Sequence, residues 1–282
     1  MTAETVEFTG AEDLTLVADE WNRGAPTAEG KPTVLMLHGG GQNRFSWKQT
    51  GDVLARHGLH VVAIDARGHG ESDRAPKANY SVDALAADVS RVIGQIGRPV
   101  AIIGASMGGL TGILAAHEAG PQRVTKLVLV DVVPRYEKAG SARIRDFMFS
   151  HVDGFDSLDA AADAVAGYLP HRTRPRSPEG LKKNLRLRDG RWYWHWDPAF
   201  LTAPGDDPFV RVEKIEHAAV ELRIPILLVR GKLSDVVSVE GVQHFLAQVP
   251  HAEFVELSGA GHTAAGDDND AFSDAVVPFV VR

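Results

Sequence analysis

Residues 100–118 read VAIIGASMGGLTGILAAHE: an apolar run that stops at Gly-Ala-Ser-Met-Gly-Gly and resumes as a small-residue helical pattern. A strand that passes into a helix through one serine flanked by glycines must make a sharp, strained turn. Such a turn lifts the serine hydroxyl off the carboxyl edge of a sheet. Gly104 and Gly108 leave the room that lets strand and helix close around it. Ser106 is therefore a candidate nucleophile. Serines also cap helices, and a GxSxG spacing also arises by chance; the strand before and the helix after distinguish this one.

The same alternation runs through most of the chain. Short apolar runs near Glu4–Thr9, Leu14–Trp21, Thr33–Leu37, His60–Ile64, Val100–Gly104, Lys126–Val130, Ile226–Arg230 and Glu253–Leu257 are bounded by Gly, Pro and polar residues. Helical patterns separate most of them, which predicts a mostly parallel eight-stranded sheet covered on both faces. The first two runs, parted by Gly10, read as an antiparallel pair. The clearest helix spans Val82–Ile96, with Leu85, Val89, Val92, Ile93 and Ile96 on one face and Ser81 as N-cap. Others are predicted at Val239–Gln248 and at Asp270–Val280, where Pro278 should kink or shorten the element. Between about Pro134 and Arg211 the strand rhythm stops. The expected organisation is a core domain of residues 1–133 and 211–282 with a helical cap inserted as residues 134–210.

A serine hydroxyl is a weak nucleophile near neutrality, so it needs a base within hydrogen-bond reach and a third group to orient that base. PILLVRG leads into KLSDVVS and places Asp235 on the loop after a core strand. EFVELSG leads into AGHTAAG and places His262 on an equivalent loop. Both open toward the edge that carries Ser106. Asp131, which ends LVLVD, lies at that edge too and is the competing acid. TVLMLHGGG ends in a glycine run whose main-chain N–H groups a substrate oxygen can approach. The amides of Gly40 and Met107 are the expected oxyanion donors, with Gly41 in reserve. His38 reads as a brace for this loop rather than a base.

Composition removes several alternatives. The 282 residues contain no cysteine, which excludes disulfides, a thiol nucleophile and thiolate metal sites. The formal net charge of -7 opposes nucleic acid and anionic lipid as partners. No HExxH or clustered histidine spacing suggests a metal, and GASMGG fails the dinucleotide fingerprint, so no cofactor is expected. The N-terminal stretch lacks the basic start and apolar run of a signal peptide. No segment approaches a membrane span, so a soluble cytoplasmic chain is the expectation. Monomer and homodimer are both compatible with the sequence.

HGGGQNRFSW, DARGHGESD, GASMGG, KLSDVV and GAGH together make the chain resemble the α/β-hydrolase superfamily. The nearest branch holds cofactor-free haloperoxidases, epoxide hydrolases and small esterases. The resemblance covers nearly everything outside the expected cap. It implies the α/β-hydrolase fold, a triad of Ser106, Asp235 and His262, and an oxyanion amide at Gly40. Epoxide hydrolases and haloalkane dehalogenases carry a carboxylate at the turn where this chain has Ser106, which disfavours those activities. In this branch Arg67, His69 and Glu71 of DARGHGES fit a structural loop.

The segment PHRTRPRSPEGLKKNLRLRDGRWYWHWDPAF places basic residues before Trp192, Tyr193, Trp194 and Trp196. The charges read as an exposed cap surface. Trp192, Trp194 and Trp196 either line a substrate pocket or fix the cap to the core. His195 reads as a residue satisfied within that interface. The expected function is a serine hydrolase acting on a small-to-medium carboxylic ester or lactone through an acyl-enzyme. Perhydrolysis or halide oxidation, C–C bond hydrolysis on the same triad, and a non-catalytic ligand-binding role are the alternatives.

Overall fold

The computed structural model describes residues 2–25, 29–169, 174, 177–202, 212–262 and 269–282. Eight strands form one sheet: β1 (Glu4–Thr9), β2 (Thr15–Trp21), β3 (Thr33–Leu37), β4 (Val61–Ile64), β5 (Val100–Ala105), β6 (Val124–Val130), β9 (Ile226–Gly231) and β10 (Glu253–Leu257). Their order is β1-β2-β4-β3-β5-β6-β9-β10. β2 runs antiparallel to both β1 and β4, and every other pairing is parallel. All eight fall within about two residues of the runs read from the sequence.

The central strands are apolar along most of their length, with Thr33, Thr125, Lys126 and Arg230 toward their ends, because both of their faces are covered. Side chains along a strand alternate between faces, and two separate cores result. Leu35, Ile102, Leu127 and Leu228 enter the first, under α2 (Val82–Ile96), α3 (Met107–Ala119), α7 (Val212–Glu221) and α8 (Val239–Gln248). Met36, Ile103, Val128 and Val229, each the next residue along, enter the second. That face is covered by α1 (Lys48–Arg56) and α9 (Asn269–Val281).

Local signals set the helix ends. The Ser81 hydroxyl accepts the Ala84 amide at the start of α2, and Gly97 ends it in the left-handed region at φ 70°. α9 continues through Pro278 to Val281, so of the kink or shortening expected there the shortening does not occur. Lys126 Nζ donates to the carbonyls of Phe279 and Val280 at 2.9 and 3.2 Å, satisfying acceptors that the last helical turn leaves open.

The segment after β6 contains α4 (Lys138–Phe149), α5 (Leu158–Tyr168) and α6 (Ala199–Thr202). It is not purely helical. β7 (Leu185–Arg188) and β8 (Arg191–Trp194) form an antiparallel hairpin. Its two-residue turn is Asp189-Gly190, at φ 48° and 79°, the left-handed pair that a tight hairpin turn requires. Among the described residues no helix is long and apolar enough to cross a membrane.

Candidate active site

β5 ends at Ala105 and α3 begins at Met107, so Ser106 alone makes the turn, at φ 47° and ψ -116°. A non-glycine residue is strained there and persists only where its surroundings hold it. The Ser106 amide donates to the Val130 carbonyl at 3.1 Å, and its carbonyl accepts from Gly109 and Leu110 at 2.9 and 3.1 Å. A Cβ on Gly104 would stand 2.4 Å from the Gly108 carbonyl oxygen. Strand and helix thus meet as the sequence predicted, and only glycine permits the approach.

His262 follows β10 and is mostly buried. Its Nε2 lies 3.1 Å from Ser106 Oγ, and its Nδ1 lies 2.7 Å from Asp131 Oδ2. The third member of this chain of contacts is therefore Asp131, the competing acid, and not Asp235. Asp131 immediately follows β6, between the neighbouring strands β5 and β9. Its own left-handed backbone, φ 48°, accompanies an inward-facing carboxylate. That carboxylate is fully buried and well supplied with donors: the Gly231 amide to Oδ1 at 2.9 Å and the Ser234 hydroxyl to Oδ2 at 2.6 Å, besides His262. A buried carboxylate requires such partners.

The loop after β9 turns Ser234 inward and Asp235 outward. Asp235 is 41% exposed and accepts Arg143 Nε from α4 at 2.7 Å. α4 sits directly on this loop: a Cβ on Gly140 would be 2.2 Å from the Asp235 carbonyl oxygen, and the Glu137 amide donates to the Val236 carbonyl at 2.7 Å. Asp235 therefore joins the loop to the helix above it.

The loop after β3 is braced by histidines. The Ala66 amide donates to His38 Nε2 at 3.0 Å, so the ring proton sits on Nδ1 and is donated to the Gly39 carbonyl at 2.8 Å. Burial pushes the His38 imidazole down to about 4. Burial, followed by the proximity of His38, pushes His69 down to about 3. Neutral His69 accepts the Gly41 amide on Nε2 at 3.1 Å. Gly41, the reserve oxyanion donor, is thus already engaged, and the Gly39 amide donates to Gln42 Oε1 at 3.1 Å. Gly40 is the glycine of this run whose amide neither contact uses. Met107, as the first residue of α3, has an N–H with no acceptor within its helix. A Cβ on Gly39 would lie 3.4 Å from Ser106 Cβ, and one on Gly40 would lie 3.9 Å from Met107 Sδ. Gly39 thus stands beside Ser106, and Gly40 beside the side chain of Met107.

The tryptophans divide. Trp196 is buried in one cluster with Met107, Met148, Phe200 and Tyr80, and Trp194 packs against that cluster. Trp192 instead packs with Phe155, Ala161 and Leu185 between α5 and the hairpin, bridging to Phe155, and is not brought to Ser106. Phe200 and Met148 escaped notice in the sequence. A Cβ on Gly40 would meet Phe200 Cζ at 3.4 Å, and one on Gly41 would meet Met148 Cε at 2.9 Å. His195 is buried; its Nδ1 accepts the Gly70 amide at 2.7 Å, but its Nε2 is buried with no hydrogen-bond partner among the described residues, so the interface satisfies one ring nitrogen and not both. Arg67 is fully buried against Asp88, with a second bond to Glu12, and Glu71 pairs with Arg44. Both have structural partners. Among the described residues no group of three His, Cys, Asp or Glu side chains could hold a metal.

Residues 32–268 match the family described as the alpha/beta hydrolase fold. The chain belongs to this family and is a hydrolase of that fold. It is 30% identical to esterase Rv0045c of Mycobacterium tuberculosis over 253 residues, 87% of this chain and 81% of that protein. It is 26% identical to the sn-1-specific diacylglycerol lipase ABHD11 of Mus musculus over 266 residues, 88% and 81% of the two chains. Among solved structures it superposes on E-2-(acetamidomethylene)succinate hydrolase with a TM-score of 0.86, covering 99% and 100% of the chains at 21% identity, a likeness of fold.

Proposed function

We propose that the chain is a serine hydrolase that cleaves small-to-medium carboxylic esters or lactones through an acyl-enzyme. Ser106 is the nucleophile, His262 the general base and Asp131 the orienting acid. The observation that carries this reading is the continuous chain from Ser106 Oγ through His262 to Asp131 Oδ2, with contacts of 3.1 and 2.7 Å. Ser106 attacks the substrate carbonyl while its proton passes to His262 Nε2. The resulting imidazolium is stabilised by Asp131, and the negative oxygen is held by the Gly40 and Met107 amides, each donor contributing about 3 to 4 kcal/mol in the transition state. Collapse expels the alcohol, which takes the proton from His262. Water, deprotonated by the same imidazole, then releases the acid.

The apolar wall of Phe200, Met148 and Trp196 beside Gly40 and Gly41 favours an apolar acyl group. On this reading residues 134–210 act as a cap whose α4 and α6 cover the acyl side of the site. The printed activities of the two sequence relatives, an esterase and a lipase, point the same way.

The test is hydrolysis of p-nitrophenyl esters of increasing acyl length, with and without peroxide, by wild type and Ser106→Ala. Turnover that is indifferent to peroxide and lost by several orders of magnitude in the variant is the expected result. Retained activity in Ser106→Ala overturns the proposal, and turnover that requires peroxide replaces hydrolysis with perhydrolysis.

A further inference from the structure

Ser234 stands next to the aspartate that sequence reasoning selected, and it does something that aspartate does not. Its hydroxyl donates to Asp131 Oδ2 at 2.6 Å, the same oxygen that receives His262 Nδ1 at 2.7 Å. The direction of that hydroxyl is fixed from behind. The amides of Val236 and Val237 both donate to Ser234 Oγ, at 3.2 and 3.1 Å, occupying its acceptor positions and leaving its single hydrogen for the carboxylate. The Ser234 amide closes the turn on the Gly231 carbonyl at 3.0 Å, and the Gly231 amide holds the other oxygen of Asp131. Two backbone amides, a hydroxyl, a carboxylate and an imidazole thus form one directed series that ends on the nucleophile.

We propose that Ser234 is a positioning residue for the hydrolytic reaction, acting on His262 through Asp131 Oδ2; this rests on the serine-hydrolase reading given above. A second donor on Oδ2 does two things. It keeps that oxygen facing Nδ1, which holds the imidazole in the tautomer whose Nε2 can take the Ser106 proton. It also draws off part of the charge that Oδ2 presents to the imidazole, and so sets how strongly the protonated ring is stabilised. Among the described residues, the charged side chain hydrogen-bonded to the ring is Asp131; nearby are Asp235 in the Ser234 loop, Lys232 of that loop, which is exposed, and Arg143 on α4. Asp235 and Arg143 are paired with one another, so Asp131 is the charge that contacts the ring.

The experiment compares Ser234→Ala and Ser234→Thr with wild type by the pH dependence of kcat/KM, by kcat and KM at the optimum, and by the NMR signal of the His262 Nδ1 proton. Removing the hydroxyl should lower kcat by about 10- to 150-fold with KM within about twofold, the cost of one lost hydrogen bond to a charged group. The acidic limb of the profile should move to higher pH, because an undiluted carboxylate holds the imidazolium more firmly. The Nδ1 proton should move downfield for the same reason. Ser234→Thr should restore all three. Ser234→Ala with wild-type kcat, limb and proton signal overturns the proposal, as does a folded Ser234→Thr that behaves like Ser234→Ala. If wild type hydrolyses no ester but the proton signal still responds to Ser234→Ala and recovers in Ser234→Thr, the hydrolase reading fails and the coupling through Asp131 stands.

Discussion

Gly108 approaches Leu37 so closely that a Cβ added to it would stand 2.3 Å from the Leu37 carbonyl oxygen and 2.7 Å from that of His38. The first turn of α3 is thereby pressed onto the end of β3, which brings the Met107 amide beside the Gly40 loop. Because the obstructing atoms are backbone, they cannot rotate away. Gly108→Ala should cost about 3 kcal/mol in urea unfolding and lower ester turnover by at least tenfold. A variant with wild-type stability and turnover would show that the contact is not needed.

Asp131→Asn and Asp235→Asn should behave very differently. The amide at 131 disturbs the carboxylate that hydrogen-bonds His262 and should lower kcat by roughly 1,000- to 10,000-fold. At 235 the loss is an exposed pair with Arg143, worth about 0–1 kcal/mol, and kcat should stay within about threefold. The reverse pattern would return the orienting role to Asp235.

Stability should fall in mild acid. Unfolded histidine protonates near 6.5, whereas folded His38 stays neutral to about 4 and His69 to about 3. Above 6.5 neither state binds these protons. Below it the unfolded chain alone does, and each histidine removes up to about 1.4 kcal/mol per pH unit until its folded value is reached. Urea midpoints should drop steeply between pH 6 and 4. His69→Gln, which offers the Gly41 amide a non-titrating oxygen, should flatten that slope, and an unchanged slope would remove His69 from the account.

Phe200→Leu should alter selectivity before it alters chemistry. The ring stands over Gly40, and trimming it opens space on the acyl side. One methylene in an apolar pocket is worth about 1–3 kcal/mol, so the preference for hexanoyl over acetyl p-nitrophenyl ester should rise about tenfold. An unchanged chain-length profile would place the acyl group elsewhere.

Much of this architecture could be read from the sequence because the central strands are buried on both faces and appear as mostly apolar runs, each ending where a loop must begin. Ser106 follows such a run, whereas His262 follows the edge strand β10, whose Glu253, Phe254 and Glu256 are exposed. Asp131 and Asp235 both follow apolar runs as well, and pattern cannot separate them. What separates them is the φ of 48° at Asp131 and the turn that points Ser234 inward, and both exist only once β6 and β9 lie side by side. The hairpin at Asp189-Gly190 carried a readable turn signal within a segment read as helical. Trp192, Trp194 and Trp196 alternate along one extended stretch, yet which of them meets Met107 depended on how that stretch packs, and so did the places of Phe200 and Met148.

His262 lies shortly after β10, and α9 is the next described element of the chain. α9 in turn is held by Phe272 and Val276 in the second core and by Lys126 on its final carbonyls. Removing α9 would strip the cover from the second core beside β9 and β10, so damage to this helix would register as a loss of folded protein and of turnover with it.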